Sequence, residues 1–164
     1  MKEIFPNLFV GSEEDYNRIK NDLKGWYIIH ACKEPFHRRA LGYKGNGAPK
    51  DHPEYLIAER DGRLILNLVD ADDPAYIPKE IIDKALETIE REISNSKILL
   101  HCNQGMSRSA IIGMLYLRAK DELPFNFDVS ETKFKELYPF YNPNSGMRIF
   151  AQRNWDEYCN LFID

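Results

Sequence analysis

The stretch Lys97–Lys120, KILLHCNQGMSRSAIIGMLYLRAK, constrains this chain more than any other. Lys97-Ile98-Leu99-Leu100-His101 is a short apolar run with the length of a buried strand. Ser109 to Lys120 is well filled with Ala, Ile, Leu and Met and reads as a helix. Between them lies the polar segment Cys102-Asn103-Gln104-Gly105-Met106-Ser107-Arg108. A strand, a tight glycine-containing loop and a helix start make an anion site. The loop N–H groups converge, and the helix N-terminus presents unsatisfied donors and a partial positive charge. Cys102 opens this loop and Arg108 closes it. Donors that bind an anion also stabilise a thiolate, and a guanidinium folded back over the loop grips two oxygens of a tetrahedral oxyanion. A cation is disfavoured at a helix N-terminus, so Arg108 itself calls for an anion nearby. A thiolate inside a phosphate-sized cradle meets the needs of phosphoryl transfer to cysteine: positioning, and stabilisation of charge on the equatorial oxygens.

The rest of the chain sets bounds on that reading. The 164 residues fit one domain, 1–164, large enough for a real core. The net charge of −4 is spread along the sequence and leaves no footprint for nucleic acid or an anionic membrane. Neither a signal peptide nor an apolar run of spanning length is present. Three cysteines fit a reducing, cytoplasmic setting better than a secreted disulfide framework.

Strands alternate with helices along the sequence. Ile4 to Gly11 reads as a short opening strand with a turn, and Ser12 as the N-cap of a helix with acids in its first turn. Trp26 to Cys32 and Arg63 to Val69 read as further buried strands. Phe36 to Asp61 has loop composition, with room for a short helix at Glu54–Glu59. An acidic loop, Asp70-Ala71-Asp72-Asp73-Pro74, precedes a helix opened by Pro78, whose Ile81, Ile82, Ala85, Leu86, Ile89 and Ile93 fall at helical spacing. Helices near Ser130–Tyr138 and Met147–Tyr158 follow, the second after an Asn142-Pro143-Asn144 turn. The expected class is α/β, a central, mostly parallel sheet flanked by helices.

His101-Cys102, Gly105 and Ser107-Arg108-Ser109 resemble the Cys-x5-Arg signature of the protein tyrosine phosphatase superfamily, and the Ser-Arg-Ser ending resembles its dual-specificity branch. The opening strand, Gly-Ser turn and helix, and the Asn142-Pro143-Asn144 turn, are similar to that branch as well. The 36–61 stretch looks like an insertion relative to it. The resemblance implies a phosphatase fold and a reaction without metal or cofactor. Cys102 would be the nucleophile, and Asn103, Gln104, Gly105, Met106, Ser107 and Arg108 the phosphate cradle. His101 would order the loop, and Ser109 would stabilise the leaving thiolate.

A leaving oxygen needs a proton, and the acidic loop is the source to consider. In similar phosphatases an aspartate stands about six residues before the next helical segment. Counting back from Pro78 selects Asp72, with Asp73 second and Asp70 third. Some members of the branch also place a cysteine where Cys32 lies, able to form a disulfide with the nucleophile and so protect it from over-oxidation. The loop interior carries no Lys or second Arg. Phosphoinositide phosphatases of the superfamily tend to add basic residues there and its RNA 5′-triphosphatases carry a different loop, so the resemblance weighs against both substrates and leaves a phosphorylated protein side chain as the default. A catalytically silent phospho-binding module is the alternative from another class.

Overall fold

The computed structural model describes residues 1–163. Lys2–Phe5 (β1) and Leu8–Gly11 (β2) form an antiparallel hairpin. Its turn passes through Asn7 at φ 69, a left-handed position that Asn tolerates better than most residues. The expected single opening strand is therefore two. Trp26–His30 (β3), Arg63–Leu66 (β5) and Lys97–His101 (β6) are near-continuous apolar runs, the pattern of parallel strands covered on both faces. With Ile57–Arg60 (β4) they complete a six-stranded sheet in the order β1-β2-β6-β3-β5-β4. The inner pairings β2–β6, β6–β3 and β3–β5 are parallel, and only the two edge strands run antiparallel.

The parallel register decides where chemistry can occur. Gly11 pairs with His101, and His101 pairs with His30. The carboxyl ends of three strands thus share one row, and ligands of parallel sheets bind beyond that edge.

Lys79–Glu92 (α3), Arg108–Ala119 (α4), Phe127–Leu137 (α5) and Ser145–Arg153 (α6) supply the larger core, built on Leu8, Val10, Leu66, Leu100, Ile112, Phe134 and their neighbours. Every residue of α4 after Arg108 is buried. Gly113 allows this helix to sit close to the sheet: a Cβ there would lie 2.9 Å from Ile4 and Val10 methyl groups. Glu13–Ile19 (α1) and Arg38–Leu41 (α2) accompany a second, smaller cluster of Tyr16, Ile28, Cys32, Phe36, Ile65, Leu99 and Cys102. Ser12 and Asp15 close a reciprocal capping box at the start of α1.

Several boundaries differ from the sequence reading, and caps explain them. Asn126 accepts a hydrogen bond from Val129 N, so α5 begins ahead of Ser130. Asn144 accepts from Ser145 N and starts α6 before Met147; that helix ends at Arg153, short of Tyr158. Pro78 occupies the N-cap of α3 rather than its first turn.

The 36–61 stretch contains more order than its composition suggested. It holds α2 and β4, and Glu54–Glu59 does not form the short helix expected; Ile57–Arg60 is an edge strand instead. Hydrogen bonding to β5 outweighs the weak local helical pattern. The intervening segment folds onto His37, whose ring nitrogens bond Tyr43 Oη and the Glu54 carbonyl, and onto Asn67, which donates to the Tyr55 carbonyl. No helix among the described residues is long and apolar enough to cross a membrane.

Candidate active site

The segment between β6 and α4 is hung from its surroundings by its carbonyl groups. His101 Nδ1 donates to the Cys102 carbonyl at 3.0 Å, Glu13 N to that of Asn103 at 3.1 Å, Tyr138 Oη to that of Gly105 at 2.5 Å, and Asn142 N to that of Met106 at 2.9 Å. In a trans peptide the N–H points opposite to the C=O. Carbonyls drawn outward therefore turn the amides of Asn103, Gln104, Met106 and Ser107 to the inner side. Gly105 makes the turn at φ 75, and a Cβ there would come within 2.9 Å of the Gly11 backbone.

Ser107 stands at the N-cap of α4 but does not cap it. Its hydroxyl donates to Asp70 Oδ1 at 2.7 Å instead. The first turn of α4 has no side-chain cap, so its amides remain available to an anion. The result is a cavity of about 550 Å³ lined by Cys102, the following loop, Arg108, Asp70 and the Asn142–Asn144 turn. No residue of the 43–56 segment lines it.

Cys102 is 2% exposed. Its Sγ lies 3.2 Å from Ser109 Oγ, and the same hydroxyl is 3.2 Å from the Gly11 carbonyl, to which it can donate. One hydroxyl hydrogen thus has two acceptors within reach, a backbone oxygen and the Cys102 sulfur. Arg108 is anchored by Nη1 to the Leu68 carbonyl at 3.0 Å and by Nη2 to Asn103 Oδ1 at 2.6 Å. Its Nε is buried and has no partner among the described residues. A buried guanidinium N–H without an acceptor is costly. Beside an inward-facing set of amides, its natural partner is an oxyanion.

His101 is fully buried beneath the loop, and burial, helped by the Arg108 charge, pushes its pKa down to about 4 despite the hydrogen bond to the Cys102 carbonyl. Of the three loop acids, Asp70 lines the cavity. Asp73 accepts from Ala75 N and caps the short helical turn Pro74–Tyr76. Asp72 is exposed, and its carboxylate makes no hydrogen bond or ion pair among the described residues. The loop itself is held through its backbone. Asn144 Nδ2 donates to the Asp70 carbonyl and Ser145 Oγ to that of Asp72, at 2.9 and 2.7 Å.

Cys32 is buried in the same cluster as Cys102, and both are free thiols. Burial pushes the Cys32 thiol pKa up. The sequence reading missed His30, which touches His101, and the C-terminal anchors Tyr138, Asn142 and Asn144. Two histidines ending apolar strands were a visible signal for His30, but only strand order makes them neighbours. Nothing local marks Tyr138 as a partner of the loop.

No family model matches the chain. By sequence it is 28% identical over 145 residues to human Dual specificity protein phosphatase 16, an alignment covering 86% of this chain but 18% of that protein. The chain thus spans under a fifth of that relative. Among solved structures it is similar to DUSP15, with a TM-score of 0.66 at 20% identity, covering 98% of this chain and 91% of that one. It is similar as well to a human tyrosine phosphatase-like serine/threonine/tyrosine-interacting protein, with a TM-score of 0.64 at 20% identity and coverage of 96% and 97%. The fold is that of the dual-specificity phosphatases, and the sequence likeness is to the same branch of the protein tyrosine phosphatase superfamily.

Proposed function

We propose that this chain, a relative of the dual-specificity phosphatases in sequence and fold, is a cysteine-dependent phosphatase that hydrolyses phosphate monoesters on proteins. One observation carries the reading: the unpartnered Nε of Arg108, beside inward-turned loop amides and the Cys102 sulfur. In the first step Cys102 Sγ forms a bond to phosphorus while the ester P–O bond breaks. The electron pair leaves on the substrate oxygen, which takes a proton from an aspartic acid. Arg108 and the amides of the 103–107 loop hold the equatorial oxygens throughout. In the second step a water attacks the thiophosphate, the same aspartate accepts its proton, and the S–P bond breaks. The Ser109 hydroxyl, 3.2 Å from the sulfur, turns its hydrogen to the departing thiolate.

Asp72 is the acid in this scheme. Its carboxylate is unengaged, on a loop tethered by Asn144 and Ser145. The place of Asp70 in the cavity wall supports a second assignment, although its carboxylate already accepts the Ser107 hydrogen bond. Phosphotyrosine, with phosphoserine and phosphothreonine, is the substrate class. The loop interior has no further cation to meet the extra phosphates of a phosphoinositide. The chain works as one domain in the reducing cytoplasm, where Cys32 acts as a resolving thiol: after oxidation of Cys102 to the sulfenic acid, Cys32 displaces water and forms the disulfide. Mild peroxide followed by mass spectrometry should yield a Cys32–Cys102 link; recovery of sulfinic Cys102 alone would remove that role.

The decisive experiment is hydrolysis of an aryl phosphate without added metal by the wild type and Cys102→Ser. Turnover that vanishes in the variant, with vanadate still bound, supports the enzyme. A folded wild type that binds vanadate and turns nothing over would make the chain a phospho-binding module.

A further inference from the structure

The reaction above leaves the imidazole of His30 unused, although it is fully buried beside the site. His30 Nδ1 lies 2.6 Å from His101 Nε2, a contact created by the pairing of the ends of β3 and β6. The two rings stand perpendicular, and each is stacked on one side by an aromatic ring: Phe36 on His30 and Tyr16 on His101. The hydrogens along this chain are dictated by its ends. A carbonyl only accepts, so His101 Nδ1, facing the Cys102 carbonyl, carries the hydrogen. In a neutral ring Nε2 is then an acceptor, and His30 Nδ1 must supply the hydrogen between the rings. His30 Nε2 is left as an acceptor, and the group it faces is Arg63 Nη1 at 3.4 Å, which only donates. Both rings neutral, both protonated at Nδ1, satisfies every link; any other arrangement sets a donor against a donor or an acceptor against an acceptor. Burial supports neutrality, holding His30 near a pKa of about 2 and His101 near about 4.

We infer that His30 is a positioning residue for Cys102. Its Nδ1–H fixes His101 in the tautomer that binds the Cys102 carbonyl. With that carbonyl drawn toward His101, the following amide, Asn103 N–H, faces the oxyanion side of the loop. Removing the His30 donor frees His101 to take the Nε2–H form, which puts a lone pair against the Cys102 carbonyl and lets the peptide rotate. The inference rests on Cys102 being the nucleophile, but the hydrogen pattern itself does not.

The test has two arms. Long-range 1H–15N spectra of the histidine rings, at neutral pH on the whole chain, read the tautomers directly. His30 and His101 are both expected as Nδ1–H; either ring found as Nε2–H, or doubly protonated, overturns the proposal. The second arm compares His30→Leu with His30→Asn, whose amide can donate from nearly the same place as Nδ1. His30→Leu is expected to lower kcat about tenfold, as loss of a buried hydrogen bond would, with KM little changed. It should also slow alkylation of Cys102 by the uncharged reagent iodoacetamide. His30→Asn is expected within about threefold of wild type in both. A folded His30→Leu with wild-type kcat, or an Asn variant as impaired as the Leu variant, overturns the role. The spectra decide the hydrogen pattern even where His30→Leu fails to fold. Alkylation follows the cysteine even where no phosphatase substrate is turned over, so failure of the phosphatase reading remains distinguishable.

Discussion

Ser107 Oγ donates to Asp70 Oδ1 at 2.7 Å and accepts from the backbone N–H of Asn144 at 2.9 Å. One hydroxyl thereby joins the cysteine loop, the acidic loop and the N-terminal turn of α6. Residues that position the proposed nucleophile and the proposed acid share this joint. Ser107→Ala leaves the Asp70 carboxylate and the Asn144 amide without it. The variant should lose about 1 kcal/mol of stability and about tenfold in kcat for substrates with poor leaving groups. Chemical denaturation and turnover of phenyl phosphate measure the two. A stability loss with unchanged turnover would confine the joint to folding.

Asp72 and Asp70 are separated by their dependence on the leaving group. A general acid matters most where the departing oxygen is basic, and its loss costs about 10²–10⁴-fold. Asp72→Ala should be slowed that far on phenyl phosphate and much less on 4-nitrophenyl phosphate. Asp70→Ala should slow both to a similar extent, through the loop it anchors. The reverse pattern in a series of aryl phosphates would make Asp70 the acid.

Gly146 lies where α6 presses on the acidic loop: a Cβ there would sit 2.1 Å from the Ala71 carbonyl oxygen. Backbone must move to admit it. Gly146→Ala is expected to lose about 1–3 kcal/mol, in the range of overpacked sites, and to impair turnover by displacing Asp70 and Asp72. Denaturation midpoints and kcat/KM read the effects; wild-type values in both would mean that the loop yields freely.

Stability should fall as pH drops from 7.5 to 5.5. His30 and His101 are held neutral in the fold, with pKa values lowered from 6.5 to about 2 and about 4. The unfolded chain therefore binds protons first, and acid favours unfolding from near pH 6.5 down to each folded pKa. Each ring contributes a loss on the order of tenfold in the folding equilibrium over those two pH units. Carboxylates titrate mostly below this window. Urea denaturation of wild type and His30→Asn at both pH values measures the slope. The variant should show a shallower dependence than wild type, the remainder coming from His101 and from His37, whose burial also lowers its pKa, and a pH-independent wild type would contradict buried neutral rings.

The strand, loop and helix of Lys97–Ala119 were legible because their determinants are local: an apolar run, a glycine at positive φ, and a helix-forming run within a few residues of each other. The same holds for α3, whose buried positions follow the helical spacing of its apolar residues. Reading failed where pairing or capping overrode composition. Ile57–Arg60 became a strand because β5 offered it hydrogen bonds, and Ile4–Gly11 became a hairpin around Asn7.

The sequence by itself determined the chemistry available, because Cys102, Arg108 and Ser109 lie on one short loop and helix start that local forces build. Tertiary structure alone decided what holds that chemistry in place. His30 meets His101 across 71 residues, Asn144 meets Asp70 across 74, and Ser107 meets Asp70 across 37. Such contacts follow from strand order and helix docking, set by burial of the whole core, and no local pattern of residues encodes them.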